Sequence, residues 1–387
     1  MMLKNAFSTL VLSICLAGSF SLMARSIQET TSADSAKHML ISKGGDAGDY
    51  QAFPDACRLK NGDIVAVFYA GDEHVTPQSE KYPKAGRICL VRSKDEGRTW
   101  SKPVTIYDDA DDNRDAHIAQ LSSGMVVISF FSLRYPSFGS REYKMLGSPQ
   151  LLWSKDNGKT WDKNATLLET GDIDWLSSAQ VREMPDGTTI LPVYHQEGKG
   201  GLKAWGGVML SKDKGKTWGP VITIGEKANL PLAAETDVVL LKDGTLYAAL
   251  RAQQEVHMHY ATSKDMGKTW SDVQDIGFRG HSPSFTRLKS GEILLTTRAF
   301  RDAPSKKGYT GLRISRDEAK TWEGPYLVDE TLGAYPSTVE LKDGSVLVVY
   351  YEEGKGSGIR AYRFRVPEKP SNAIFPEPKS LTILNGK

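Results

Sequence analysis

SKDEGRTW (93–100), SKDNGKTW (154–161), SKDKGKTW (211–218) and SKDMGKTW (263–270) are four copies of one octapeptide, and SRDEAKTW (315–322) is a fifth in which Ala319 replaces the glycine. The copies stand 52 to 61 residues apart, too far for helical repeats and about the length of one four-stranded sheet with its turns. Repeated sheets of that size close into a ring, which leaves few free edges. The spacing predicts an all-β propeller.

A second repeat gives the number of sheets. An apolar run, a turn ending in glycine and a second apolar run recur as RLKNGDIVAVF (58–68), QLSSGMVVISF (120–130), EMPDGTTILPV (183–193), LLKDGTLYAAL (240–250), RLKSGEILLTT (287–297) and ELKDGSVLVVY (340–350). Asn-Gly and Asp-Gly supply the positive φ of tight hairpins, and β-branched residues fill the flanks. Six hairpins predict a six-bladed β-propeller of four-stranded antiparallel sheets. Five hairpins lead through a third strand to an octapeptide and a fourth strand. The sixth, followed by IRAYRFRV (359–366), has no octapeptide, so HMLIS (38–42) is expected to supply its missing strand and close the ring.

The 387 residues carry 49 basic and 47 acidic side chains and are 40% hydrophobic. Such a chain can bury a large core, and its near-neutral balance excludes a general nucleic-acid surface. Residues 1–24 read as an export signal, with Lys4 before the apolar AFSTLVLSICLAGSF, and a linker follows over 25–37. That stretch is too short for a comfortable membrane span. The expected location is therefore periplasmic or extracellular. Leu12-Ser13-Ile14-Cys15 matches a lipoprotein box only in part, which leaves a lipid-anchored surface form open. Cys57 and Cys89 are expected as free thiols on strands one apart in the same blade. The propeller is expected over 38–366 as a monomer, with a proline-rich irregular tail over 367–387.

Aligning the hairpins on their turn glycines locates the pore. Nine residues before each glycine stand Phe53, Asp115, Ser178, Glu235, Ser282 and Tyr335, and seven after stand Tyr69, Phe131, Tyr194, Arg251, Arg298 and Tyr351. Both sets fall at the end of the hairpins opposite the turn, where a propeller opens its central pocket. Asp55, His117, His195 and His281 lie within two positions of that register and join Asp115 as expected substrate contacts. YDDADDNRDAH (107–117) alternates acids like a calcium loop, but Arg114 and Gln120 stand where such a loop needs Gly and Glu. No metal and no cofactor are expected.

The octapeptide closely resembles the Asp box of the sialidase superfamily, whose boxes lie on the outer side of a propeller, away from its site. The Asp, Gly and Trp have folding roles in this reading, as a turn acceptor, a left-handed residue and buried area. The resemblance implies that Glu235 polarises a tyrosine nucleophile, that Arg251 grips a substrate carboxylate, and that Tyr335, in AYPSTVELKDG (334–344), is the nucleophile. It also implies an acid in the loop 70–86, where Asp72 is the first choice and Glu73 the second. A phenol suits this role because a carboxylate can take its proton and because it is neutral beside an anionic sugar.

The sequence departs from the family at its arginines. The family's Arg-Ile-Pro is Ala52-Phe53-Pro54 here, and the third arginine falls near Lys307, with Arg298 or Arg301 as substitutes. The expected activity is a retaining exo-glycoside hydrolase acting on glycan termini, with Arg251 and Arg298 orienting the sugar. Two alternatives stay open: another carbohydrate-active enzyme, such as a glycosidase for a different sugar or a lyase using His117 or His195, and a glycan-binding propeller without turnover.

Overall fold

All six hairpin glycines adopt positive φ, from 76° at Gly344 to 107° at Gly291, a region open to glycine without penalty. Each donates its N–H to the residue three before it, as Gly62 does to Leu59 at 2.8 Å. Six identical turns produce six hairpins. The structure, a computed structural model, describes residues 38–366 apart from 198–202, 229, 232, 254, 302–306 and 355, together with 379–380 and 382–383. The expected export signal and linker lie outside the described residues.

The chain is a six-bladed β-propeller with all ladders antiparallel within its four-stranded blades. Blade one runs Tyr50–Arg58, Ile64–Gly71, Arg87–Ser93 and Val104–Tyr107 from the axis outward. Blades two, four and five repeat that order from Asp112–Gln120, Thr236–Leu240 and Gly280–Arg287. Blade three has its innermost strand broken into Leu176–Ser177 and Arg182–Glu183. Blade six, Gly333–Glu340, Val346–Glu352 and Gly358–Arg365, takes its fourth strand from His38–Lys43, with His38 opposite Tyr362. That pairing joins the two ends of the ring and covers an edge that would otherwise be free.

The second strand of each blade lies between two neighbouring blades, so its residues are buried on both faces. In blade one Ile64, Val65, Ala66, Val67, Phe68 and Tyr69 are all inaccessible to solvent. This explains why the hairpins read as unbroken apolar runs instead of alternating ones.

The buried residues fall into six clusters, one per blade-to-blade interface. Each box tryptophan belongs to a different cluster and packs its blade onto the one before: Trp100 joins blade one to six, Trp161 two to one, Trp218 three to two, Trp270 four to three and Trp322 five to four. The cluster between blades five and six contains no box tryptophan, as expected of a blade without a box. Within a box the Asp receives the Thr N–H and hydroxyl, at 2.8 and 2.5 Å for Asp95 and Thr99, while the Ser Oγ accepts the Gly97 N–H at 2.9 Å. Asp156, Asp213, Asp265 and Asp317 make the same pair of bonds to their threonines. The five carboxylates are turn acceptors that hold the tryptophans in place.

Cys57 and Cys89 are free, the first half-buried and the second buried. Of the tail, Lys379–Ser380 pairs with Glu323–Asp329 and Thr382–Ile383 with Gly358–Arg365, so these described residues form short strands on blades five and six. No helix among the described residues is long and apolar enough to cross a membrane.

Candidate active site at the pore mouth

A bulge in the innermost strand aims side chains into the pore. In blades one, two, five and six the pairing with the second strand skips between Ala52 and Asp55, Arg114 and His117, His281 and Ser284, and Ala334 and Ser337. The residue just inside each skip has positive φ: Phe53 53°, Asp115 50°, Ser282 51° and Tyr335 44°. A non-glycine residue held there is strained, and a bulge re-aims the strand. In blade four Ala234, at φ 48°, places Glu235 in the same way. The six residues counted back from the glycines thus mark one circle around the axis.

Glu235 is the polar centre of that circle. Its Oε1 accepts the Tyr335 hydroxyl at 2.6 Å and Arg251 Nη1 at 2.5 Å, and its Oε2 accepts the Ser282 hydroxyl at 2.6 Å. Arg251 Nη1 also lies 3.4 Å from the Tyr335 oxygen. Burial opposes charge on Glu235, but Arg251 and the bonds from Ser282 and Tyr335 outweigh it and hold the carboxyl below its ordinary value. Burial, reinforced by the Glu235 charge, pushes the Tyr335 phenol well above its usual range. At rest the proton therefore sits on the phenol, hydrogen-bonded to an ionised carboxylate that can receive it.

Arg298 is the second cation near the tyrosine. Its Nε donates to the Gly333 carbonyl at 2.6 Å and its Nη2 to the Tyr351 hydroxyl at 2.9 Å, with its guanidinium 5.7 Å from the Tyr335 ring centre. Tyr351 in turn donates to Glu353 at 2.6 Å. Phe53 closes this side, its ring 5.0 Å from Tyr335, 5.3 Å from Tyr351 and 5.3 Å from His74. Arg114 lies over Phe53 at 5.4 Å and is neutralised by Asp112 at 3.2 Å.

The central cavity, of about 30 Å³, is lined by Asp55, Asp115, His117, Tyr194, Glu235 and Tyr335 with a ring of serines and prolines. Asp55 accepts the Ile118 N–H at 2.7 Å and Gln180 at 2.9 Å. The ring of His117 is 4.0 Å from Asp55, and burial lowers its pKa against the pull of that carboxylate. Asp115 Oδ1 is buried and accepts no hydrogen bond. Burial raises its carboxyl to about 7, against the lowering influence of Arg114.

The remaining expected residues lie elsewhere. Asp72 is half exposed and bonded to Lys81 at 2.6 Å, and Glu73 is half exposed and paired with Arg141 at 2.9 Å; neither lines the cavity. His74, the next residue in the loop, turns inward and reaches the Tyr50 hydroxyl at 2.9 Å. His195 has its Nδ1 2.6 Å from the Asp174 carbonyl, with its ring 4.3 Å from Trp205 and 5.9 Å from Trp175. His281 is buried on Phe300 at 4.6 Å, and burial with Arg251 and Arg298 lowers its pKa to about 2, so it is neutral. Arg301 points outward to Glu330. Ser282 and Tyr351, which lie in the glycine register, join the site without an expected role, whereas Tyr50 and Glu353 carry no periodic signal. Among the described residues no group of three or more His, Cys, Asp or Glu is arranged to hold a metal ion; Asp109 and Asp111 are instead occupied by Asn113 and Arg134.

The family described as BNR repeat-like domain matches residues 136–348. A sialidase of Paraclostridium sordellii is 25% identical over 292 residues, covering 70% of this chain and 69% of that protein. A sialidase of Bacteroides fragilis is 30% identical over 134 residues, which is 34% of this chain and 22% of the relative. Among solved structures, a sialidase from Streptococcus pneumoniae superposes with a TM-score of 0.66 at 15% identity, covering 85% of this chain and 71% of that one. At that identity the likeness is one of fold.

Proposed function

This chain belongs to the sialidase superfamily through its BNR repeat-like domain, and from that premise we infer that it is an exo-acting glycoside hydrolase which removes terminal sugars from glycans by a retaining, tyrosine-based mechanism. The observation that carries this reading is the 2.6 Å bond from the Tyr335 hydroxyl to Glu235 in the lining of the central cavity. A protonated phenol is a weak nucleophile until a base takes its proton during attack. Glu235 is ionised, fixed by Arg251 and Ser282, and aimed at that proton.

In this reading the Tyr335 oxygen attacks the anomeric carbon as its proton passes to Glu235. The sugar is held as a tyrosine ether until water, entering from the face that the aglycone left, displaces the tyrosine oxygen, and Glu235 returns the proton to the phenolate. Arg251 offsets negative charge on Tyr335 as the bond forms and breaks. Arg298, 5.7 Å from the centre of the tyrosine ring, helps fix its orientation.

A specific observation favours a neutral sugar over a carboxylate sugar. No lysine or arginine lines the cavity, which presents three carboxyl groups. Arg251 and Arg298 are already engaged with Glu235 and with Tyr351 and Gly333, and Ala52 stands where the resemblance implies a third cation. Bidentate capture of a carboxylate needs free guanidinium forks. The test is a screen of para-nitrophenyl glycosides of galactose, glucose, fucose, rhamnose, N-acetylhexosamines and sialic acid, with wild type and Tyr335→Phe in parallel. Hydrolysis of a neutral glycoside that Tyr335→Phe abolishes is the expected result; hydrolysis indifferent to the substitution overturns the mechanism.

Export accords with the sequence of residues 1–24 and with a glycan substrate. It forms part of the same proposal.

A further inference from the structure

We propose that Asp115 is the acid that protonates the departing glycosidic oxygen, in place of the loop residues Asp72 and Glu73. The inference rests on the hydrolase reading above and adds to it the second proton that the reaction requires.

Three carboxyl groups line the cavity, and two are already committed. Glu235 receives three hydrogen bonds and stands beside the nucleophile, where it must begin the reaction ionised. Asp55 receives a backbone N–H on one oxygen and Gln180 on the other, so both its oxygens are already engaged with the protein. Asp115 alone keeps a buried oxygen that accepts no bond. A carboxyl oxygen buried in that way is costly unless it is protonated or finds a partner in a ligand. Its place on a bulge at positive φ directs the side chain into the cavity, as the equivalent bulge does for Tyr335.

The placement across the ring suits the role. Asp115 stands on blade two and Tyr335 on blade six, with Phe53 of blade one between them. Both line the cavity, so a sugar held there has the nucleophile on one side and this acid on the other. The charged groups acting on Asp115 are Arg114, Arg251, Glu235 and Asp112, with burial as the largest influence, and Asp55, His117, Tyr194 and Tyr335 share its cavity. A carboxyl raised to about 7 keeps its proton in about half of the molecules at neutral pH, where an ordinary carboxyl keeps almost none, and releases it readily to an alkoxide.

The step balances. The Tyr335 oxygen forms its bond to the anomeric carbon while its proton goes to Glu235. The bond from that carbon to the aglycone oxygen breaks, the electron pair stays on the oxygen, and the Asp115 proton neutralises it. In the second half Asp115, now a carboxylate, takes a proton from water as the water oxygen attacks the same carbon, and the phenolate recovers its proton from Glu235.

The experiment compares dinitrophenyl and phenyl glycosides of the sugar found in the screen. An acid matters little when the leaving group is stable as an anion and greatly when it is not. Asp115→Asn is expected to slow the phenyl glycoside by about 10²- to 10⁴-fold and the dinitrophenyl glycoside by less than about 10-fold, with loss of the alkaline limb of the pH profile. Asp72→Asn and Glu73→Gln are expected to show no dependence on the leaving group. Equal slowing of both substrates by Asp115→Asn, or leaving-group dependence in Asp72→Asn, overturns the proposal. Asp115→Ser, checked for an unchanged unfolding curve, guards against a folding defect in the first variant. If Tyr335→Phe remains active while Asp115→Asn shows the leaving-group dependence, the nucleophile is wrong and the acid stands. If no glycoside is turned over by wild type, both fall together.

Discussion

Tyr335 and Glu235 are one hundred residues apart in the chain, and the hydroxyl of the first donates to Oε1 of the second across 2.6 Å. They stand on blades six and four, so the contact depends on closure of the whole ring. Removing the hydroxyl by Tyr335→Phe should lower kcat by at least about 10³-fold, the scale seen when a nucleophile is lost. Glu235 keeps Arg251 and Ser282 as partners in that variant, so unfolding should shift by only about 1 kcal/mol. Rates on an aryl glycoside and a denaturant curve separate the two effects.

Arg251 neutralises a carboxylate that is otherwise buried. Arg251→Met should cost about 3–5 kcal/mol, because it strands the Glu235 charge. The linkage has a definite sign. A carboxyl lowered in the folded state adds stability that is present above its unfolded value of 4.5 and lost as pH falls through the folded value. Wild type should therefore weaken on acidification below about 4.5 by more than Arg251→Met does, as read by chemical unfolding at a series of pH values.

Asp115 gives the opposite slope. Its carboxyl is raised from 3.8 to about 7, so between those values the folded chain holds a proton that the unfolded chain has released. Stability should fall as pH rises across that interval. Asp115→Asn, which cannot ionise, should remove that decline and leave the variant less sensitive to alkali than wild type. Unfolding midpoints measured from acid to alkaline buffer would reveal a parallel decline in both proteins if the assignment is wrong.

Gly215, in the third box, has φ 81°, and a methyl group added there would meet the Trp153 ring at 2.7 Å. Gly215→Ala should destabilise the chain by about 2 kcal/mol or more, from the left-handed conformation together with the clash. The box lies on the outer side of the blade, so kcat should stay at the wild-type value. Loss of catalysis without loss of stability would contradict the scaffolding role of the boxes.

The fold was legible because each of its parts is repeated. Six turn glycines in one conformation make residue counting equivalent to measuring along the blade, and the count absorbs the bulge because the bulge recurs at the same place. This is why Phe53, Asp115, Ser282 and Tyr335 occupy one structural position despite their different chemistry. The loop after the second strand of blade one obeys no such period. Its course is set by Thr76, whose hydroxyl accepts the N–H groups of Asp72 and Glu73, and by the ion pairs that hold both acids outside the cavity. Asp72 and Glu73 go to Lys81 and Arg141 while His74 meets Tyr50 and Phe53, so three neighbouring polar side chains could not be told apart by composition. Glu353 and Tyr50 were hidden for the same reason: they meet at 2.8 Å from positions 303 apart that share no motif.

The clasp between His38–Lys43 and the last blade has a consequence for biosynthesis. Its tie to the body of the chain, from His38 to Tyr350, joins residues 312 apart, so a nascent propeller emerges with an unpaired edge on its sixth sheet until its first strand comes back to meet it. Contacts of such sequence separation are slow to form. Until then the incomplete ring is vulnerable to joining another copy at that edge, and a chaperone that shields the first strand during synthesis would protect the protein when it is most exposed.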